Sequence, residues 1–233
     1  QQKASETQQE HVTPSDFYPG FVHLHVHSQY SLLQSTSDLG SMVKKAKEFG
    51  TEEFPAAIAL TDHANMMGAF QFVNDAWKKE VKAIVGCEFN ICADMRDKSK
   101  QDNGYQIPII AKSRKGYQNL TKLSSMAFTD GFFYVPRIDK ATLLEYAEDL
   151  IVLSGGIFGE VGGRLLEEGE AKAEEAFRWW HETFGDRFYA ELNRHGLDEE
   201  EYMNRFVLSM CEKYQVDHVA ANSAYYIERN DSI

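Results

Sequence analysis

The alternation of short apolar runs with segments of helical spacing constrains the fold of this chain more than any other feature. Most of these runs are followed by a helical pattern, and strands that alternate with helices form parallel sheets. Seven such units within 233 residues predict a closed or nearly closed β/α barrel rather than two separate domains. The predicted strands are 21–27, 56–60, 83–89, 107–111, 151–153, 188–192 and 216–221.

Helical spacing of apolar residues locates the helices between these strands. The first helix follows a cap at Ser37 or Asp38 and ends at Gly50. Residues 164–184 are rich in Glu, Ala, Arg and Lys and are expected to form one long helix, whereas residues 93–105 are expected to form an exposed loop. Further helices are predicted around 70–77, 117–127, 143–148 and 199–214.

Composition excludes several classes of protein. The 24 Lys and Arg against 36 Asp and Glu leave a net charge of −12, which argues against wide binding to a phosphate backbone. No apolar run approaches the roughly 20 residues of a membrane span, no signal peptide is visible, and three cysteines do not make a disulfide framework. We therefore expect a cytoplasmic protein, with residues 1–20 as a polar tail and residues 21–233 as the barrel.

The strongest chemical signal is a set of three alternating histidines, His23, His25 and His27, in the first predicted strand. Alternate side chains of a strand point to the same face. Three neighbouring imidazoles are costly as packing groups and useful as metal ligands. The alternative is a polar strand end without a function.

Two further groups follow the next two predicted strands, namely His63 and Glu88. Functional groups of a β/α barrel gather at the C-terminal ends of its strands. We therefore expect His25, His27, His63 and Glu88 to converge from three consecutive strands. Imidazoles combined with a bridging carboxylate suit Zn, Mn or Fe.

The later strands supply few further metal donors. The strand 107–111 contains no His or Asp, and the run that ends at residue 156 closes with glycines. His195 follows the strand 188–192 and is the only late candidate, with Arg194 beside it as an anion-facing group. A closed site for several metal ions would need more donors from this half of the barrel.

Several strings of this sequence resemble the PHP domain (polymerase and histidinol phosphatase), in the form found in the alpha subunits of bacterial DNA polymerase III. The resemblance implies a distorted (β/α)7 barrel of the PHP type. In active members, up to three metal ions support phosphoester hydrolysis, in some polymerases as a proofreading 3′–5′ exonuclease. The match runs from Phe21 to Tyr226 through FVHLHVHSQYSLL, LTDHANMMGAFQF, IVGCEFNI, AKSRKGYQNLTKLSS, GFFYVPRIDKATLLEY, LIVLSGGIFGE and FYAELNRHG.

The resemblance also assigns roles to individual positions. It implies that His25 and His27 match the first histidine pair, that His63 matches the histidine of the TDH motif, and that Glu88 matches the bridging glutamate of the GCE motif. His23 stands where many simpler members have Asp. The positions where this sequence departs from the ligand pattern of the family are Gln34, Gln106, Gly156, Ser223 and Tyr225.

These departures imply a domain that is catalytically silent or nearly so, with no metal or a single weak Zn or Mn at the remaining ligands. The resemblance then leaves a scaffold for downstream polymerase domains of the same subunit and a docking surface for a separate proofreading exonuclease, with DNA bound only through the full polymerase. Two alternatives remain. One is an active metal-dependent phosphoesterase. The other is a stand-alone amidohydrolase-like barrel, which shares the His-x-His pattern but needs later-strand His and Asp ligands.

Overall fold

The computed structural model describes residues 20–232. The predicted tail at 1–20 therefore lies outside the described residues except for Gly20. None of the described helices is both long and apolar enough to cross a bilayer. The strands are β1 (Ala57–Leu60), β2 (Lys82–Cys92), β3 (Tyr105–Ala111), β4 (Arg137–Asp139), β5 (Leu150–Leu153), β6 (Phe188–Leu192) and β7 (His218–Ala220), and the helices are α1 (Leu39–Phe49), α2 (Ala69–Lys78), α3 (Arg114–Thr129), α4 (Lys140–Glu145), α5 (Glu160–Glu167), α6 (Glu170–Phe184) and α7 (Asp198–Tyr214).

The strands form one curved sheet in the order β1-β2-β3-β5-β6-β7, with β4 beside β2. The segment 23–27 connects the two edges of this sheet, because it forms parallel bridges with Ile58 of β1 and with Ala224, which follows β7. On the β7 side, the His27 N–H donates to the Ala224 carbonyl at 2.9 Å. The predicted barrel of the distorted β/α type is confirmed.

Strand direction and number differ in detail from the sequence-based expectation. β3 is antiparallel to both β2 and β5, whereas an all-parallel sheet was predicted. The connection between β2 and β3 contains no helix, and parallel pairing generally requires a helical crossover. The predicted first strand, 21–27, is present only as isolated bridges, and the three-residue strand β4 was not predicted because its pattern is too short to recognise.

The predicted long helix at 164–184 is two helices, α5 and α6. Gly169 lies between them with φ of +93°, a backbone conformation that favours glycine and ends a helix. The cap predicted for α1 is Asp38, whose side chain accepts the Ser41 N–H at 3.0 Å, and α1 ends at Gly50 as predicted. The two ends of α1 were predicted correctly because each depends on neighbouring residues only, whereas the break at Gly169 was not predicted.

The barrel places three elements side by side where the candidate ligands lie. The segment 23–27 is parallel to β1, and β1 is parallel to β2. Beyond the end of β1, His63 continues this parallel pairing through a bridge to Glu88 of β2. Parallel neighbours present their C-terminal ends at the same end of a barrel, so side chains from all three elements meet there.

Candidate metal centre

The buried carboxylate of Glu88 lies within hydrogen-bonding distance of three imidazoles. The His25 Nε2 lies 2.8 Å from Glu88 Oε1. The other carboxylate oxygen, Oε2, lies 3.1 Å from His27 Nε2 and 2.9 Å from His63 Nδ1. The structure therefore brings the four expected residues together, and we call His25, His27, His63 and Glu88 the histidine wall.

His25 lies between two carboxylates. Its Nε2 faces Glu88, and its Nδ1 lies 2.9 Å from Glu191 Oε1. Burial disfavours the charged imidazole, but Glu191 and Glu88 outweigh that penalty and raise the pKa of His25 to about 10. Burial alone would raise the pKa of Glu88, yet its histidine partners, His25 foremost, hold that pKa well below its usual range.

A hydrogen-bonded turn positions His27 and His63 relative to each other. The Asp62 carboxylate is buried and accepts the Ser28 N–H at 2.7 Å, the Ser28 hydroxyl at 2.7 Å and the Ser31 hydroxyl at 2.8 Å. Ser31 Oγ in turn accepts the His63 N–H at 3.0 Å. Asp62 therefore ties the turn after His27 to the loop that carries His63.

Five residues without a carboxylate or imidazole line a cavity beside the histidine wall, and we call Gln106, Gly156, Asn193, Ser223 and Tyr225 the opposite wall. Gly156 has a φ of +27°, and a Cβ placed there would lie 2.3 Å from Asn193 Oδ1. The Asn193 amide is held in this position, since its Nδ2 donates to Glu191 Oε1 at 2.8 Å and to the Ala221 carbonyl at 2.6 Å. An amide group thus fills the space that a side chain at position 156 would need.

The remaining departures from the family pattern also have defined surroundings. The Tyr225 ring stacks on the His27 ring with centroids 4.2 Å apart and an interplanar angle of 2°. Ser223 Oγ lies 3.5 Å from His25 Nε2. Gln106 lines the cavity beside the histidine wall. Gln34 lies on an exposed turn, where its N–H donates to the Ser31 carbonyl at 3.0 Å.

A cavity of about 470 Å³ is lined by His25 and Glu88 together with the opposite wall. The three accessory candidates lie differently with respect to this cavity. His23 lines this cavity but stacks edge-on against Phe21, with centroids 4.8 Å apart, and burial lowers its pKa. His195 also lines the cavity and pairs through Nδ1 with the carboxylate of Glu200. Arg194 is exposed, and its N–H donates to the Asn222 side-chain oxygen at 2.9 Å.

Sequence reasoning missed Glu191, Asn193 and Asn90. The Asn90 amide Nδ2 lies 2.9 Å from His63 Nε2 and donates to the Pro136 carbonyl at 3.0 Å. Two signals in the sequence could have indicated Asn90 and Glu191. Asn90 is two positions after Glu88 and therefore shares its face of β2, and Glu191 is a carboxylate inside an apolar strand, where an ionisable group is rare without a partner.

The donor set fits one divalent ion. One ligand atom from each of His25, His27 and Glu88 lies within 4.8 Å of the others, and all three residues are buried. Within residues 20–232, no other group of three or more His, Cys, Asp or Glu meets this condition. Two imidazoles and a carboxylate suit Zn or Mn. Glu191 and His195 also line the cavity, but Glu191 pairs with His25 and His195 pairs with Glu200, so the described residues offer no second group of donors for a cluster of several ions.

Comparison with solved structures identifies the same fold elsewhere. A candidate metal-dependent phosphoesterase from Bifidobacterium adolescentis matches with a TM-score of 0.50 and 10% identity, covering 88% of this chain and 87% of that chain. An amidohydrolase from Chromobacterium violaceum, with bound sulfate and no metal, matches with a TM-score of 0.54 and 11% identity, covering 90% of this chain and 89% of that chain. At such low identity these likenesses show the fold alone.

Comparison by sequence is more specific. The DNA polymerase III subunit alpha of Treponema pallidum is 39% identical over 218 residues, and that of Deinococcus radiodurans is 36% identical over 219 residues. Each match covers 91% of this chain but only 18% and 16% of the respective relative, so this chain spans less than a fifth of their length. The model of the PHP domain family matches residues 23–195, more than half of the chain. The chain belongs to the PHP domain family.

Proposed function

We propose that this chain is the PHP domain of a replicative DNA polymerase III alpha subunit and that it serves as a scaffold and docking surface rather than as a phosphoesterase. The identity of 33–39% to alpha subunits over about nine-tenths of the chain supports this assignment. In this role the domain buttresses the polymerase domains of the same subunit, docks the proofreading exonuclease subunit and reaches DNA only through the full polymerase. We propose that the domain acts in the cytoplasm.

The observation that carries the scaffold role is the one-sidedness of the candidate metal centre. Hydrolysis of a phosphodiester by several metal ions needs anionic or imidazole ligands on both sides of the cluster. Here Glu88 is the shared acceptor of three imidazoles, and Asn193 fills the space beside Gly156. Tyr225 also covers one face of His27. Within residues 20–232, His25, His27 and Glu88 are the single group of three donors close enough to share an ion, which supports a site for no more than one ion.

A single weakly held Zn or Mn at His25, His27 and Glu88 is compatible with this proposal. Such an ion would supply Lewis acidity. To admit it, Glu88 would give up its hydrogen bond to His25, and His25 would lose the proton that it shares with that carboxylate. This competition weakens binding of the ion and favours the hydrogen-bonded, metal-free arrangement.

The first test is the metal content of the purified chain after dialysis against trace Zn and Mn, measured by plasma mass spectrometry. We expect substoichiometric metal that is unchanged in the His25→Ala plus His27→Ala double variant. The matched control is His218→Ala, which removes an exposed histidine at the far edge of the sheet. One or more ions that are held tightly by the parent chain and by the control, and lost in the double variant, would contradict the proposal.

A second candidate function, an active metal-dependent phosphoesterase, is favoured by one observation, the buried His25, His27 and Glu88 group. It predicts metal-dependent release of nucleotides from a DNA 3′ end, abolished by His25→Ala. The scaffold role predicts no such release at any tested Zn or Mn concentration. An amidohydrolase-like activity has no comparable support, because Ser223 and Tyr225 stand where a late strand would have to bring Asp and His ligands.

The docking role has its own test, which uses the proofreading exonuclease subunit from the same organism. We expect the two purified proteins to co-elute in size-exclusion chromatography and to give a saturable heat signal on titration. Failure of both measurements would remove the docking role and leave the scaffold role to be judged on the metal and nuclease results.

A further inference from the structure

Helix α2 has two apolar faces, and the described residues cover only one of them. Ala69, Phe72 and Ala76 are buried against the smaller hydrophobic cluster of the domain. On the other side of the same helix, the Phe70 side chain is 84% exposed and the Trp77 side chain is 78% exposed. A surface helix of a globular protein typically buries one apolar stripe and exposes polar or charged residues opposite to it, so the exposed aromatic residues of α2 depart from that pattern.

The exposed residues form one continuous stripe along the helix. Phe70, Val73 and Trp77 are spaced by three and four positions, which places them on one helical face. Val73 is 43% exposed, and Met67, immediately before the helix, is 63% exposed. We call Met67, Phe70, Val73 and Trp77 the α2 outer face.

The neighbouring helix α1 shows what a solvent-facing surface of this domain looks like. It buries Leu39, Met42, Val43 and Ala46, but its exposed positions include Lys44, Lys47 and Glu48. The α2 outer face has aromatic and aliphatic groups where α1 has charges. Contiguous exposed apolar patches of this kind mark protein interaction surfaces.

We propose that the α2 outer face is covered by a further domain of a longer polypeptide that contains this chain. This inference rests on the proposed function. The alpha subunits that resemble this chain extend far beyond the match, which covers only 16–19% of their length. Aromatic side chains pack well at domain contacts but gain nothing against a phosphate backbone, so the chemistry of the stripe favours protein over DNA.

The test measures the rate at which maleimide labels a cysteine introduced by Phe70→Cys. The native cysteines, Cys87, Cys92 and Cys211, are all buried, so they give a low background. The matched control is Glu199→Cys, an exposed position on α7. We expect both introduced cysteines to react at similar rates in the 233-residue chain. In the longer natural polypeptide, we expect at least a tenfold slower reaction at position 70 and no change at position 199.

Three results would overturn the inference. The first is equal labelling of Phe70→Cys in the short and long polypeptides, and the second is a natural polypeptide that ends with this chain. The third is protection already present in the 233-residue chain and lost on deletion of residues 1–19 or on dilution, because a segment of this chain or a second copy would then be the cover. The second result would also contradict the proposed function, because it would leave no polymerase domain for this chain to support. The first and third results would overturn this inference alone, since metal content and nucleotide release test the proposed function independently of the α2 outer face.

Discussion

The two walls of the candidate metal centre adjoin one cavity and differ in chemistry. In the histidine wall, three imidazoles meet the Glu88 carboxylate at 2.8 to 3.1 Å. The opposite wall presents two amides, a glycine, a hydroxyl and an aromatic ring. The first wall retains the donors of a metal site, and the second does not.

The contacts of Glu88 give this residue a structural role that does not depend on a metal ion. They join the loop after β1 and strand β2 to the segment 23–27, which is the element that closes the barrel. Loss of the Glu88 side chain would therefore leave buried polar groups without partners at the closure.

Removal of the Glu88 side chain should have the largest effect on the stability of the histidine wall. We expect Glu88→Ala to lower the free energy of unfolding by about 3–5 kcal/mol, because it leaves a buried imidazolium and two further imidazoles without their acceptor. Urea unfolding in the presence of EDTA measures this loss. Glu199→Ala, on the exposed side of α7, should change the same quantity by less than about 0.5 kcal/mol. A cost below about 1 kcal/mol for Glu88→Ala would show that the cluster does not stabilise the barrel.

The pH dependence of stability should show how much the charges of the histidine wall contribute, because His25 lies between the carboxylates of Glu88 and Glu191. The His25 pKa rises from its ordinary value of 6.5 to about 10 on folding, so its contribution to stability is complete below pH 6.5 and is lost as the pH rises toward 10. The Glu88 pKa falls on folding, so its contribution is present above its ordinary value of 4.5 and is lost at lower pH. Together these shifts favour the metal-free fold most between about pH 4.5 and 6.5.

The variant that isolates the His25 effect is Glu191→Gln, which removes one of the two carboxylates that raise its pKa. We expect the variant to be less stable than the parent by on the order of 2 kcal/mol at pH 5.5, with a difference that shrinks toward pH 10. Urea midpoints in EDTA at several pH values measure this trend. A difference that stays constant with pH would mean that Glu191 stabilises the fold without acting through the charge on His25.

The smallest expected effect concerns the opposite wall. Gly156→Ala places a Cβ against Asn193 Oδ1 and should lower the free energy of unfolding, and it should do so less when residue 193 is alanine. We expect a coupling of about 1 kcal/mol between Gly156→Ala and Asn193→Ala in a double-mutant cycle. Strict additivity of the two variants would show that Asn193 does not fill the space beside residue 156.

Local patterns predicted the elements of the fold well and their directions less well. The cap of α1 at Asp38 depends on neighbouring residues, so its rule can be applied to the sequence directly. The break at Gly169 was missed, because residues of high helix propensity continue on both sides of it. The antiparallel direction of β3 depends on how the loop 93–104 crosses the barrel, and no local pattern encodes that path. The spacing of Phe70, Val73 and Trp77 correctly indicated a helix, but these three residues lie on its exposed face. Periodicity identifies an apolar face of a helix without showing whether that face packs against the rest of the domain.

The sequence by itself determined the alternation of strands and helices, the donor residues His25, His27, His63 and Glu88, and the departures from the family's ligand pattern. Each of these follows from a period of two, a period of 3.6, or a motif read along the chain. Only the tertiary structure decided which atoms meet. The Nδ1 atom of His25 and a carboxylate oxygen of Glu191 are 2.9 Å apart although the residues are 166 positions apart in sequence, and Asn193, just after β6, fills the space beside Gly156, which follows β5. Contacts of this kind arise from barrel closure, which depends on packing between distant elements rather than on any local pattern.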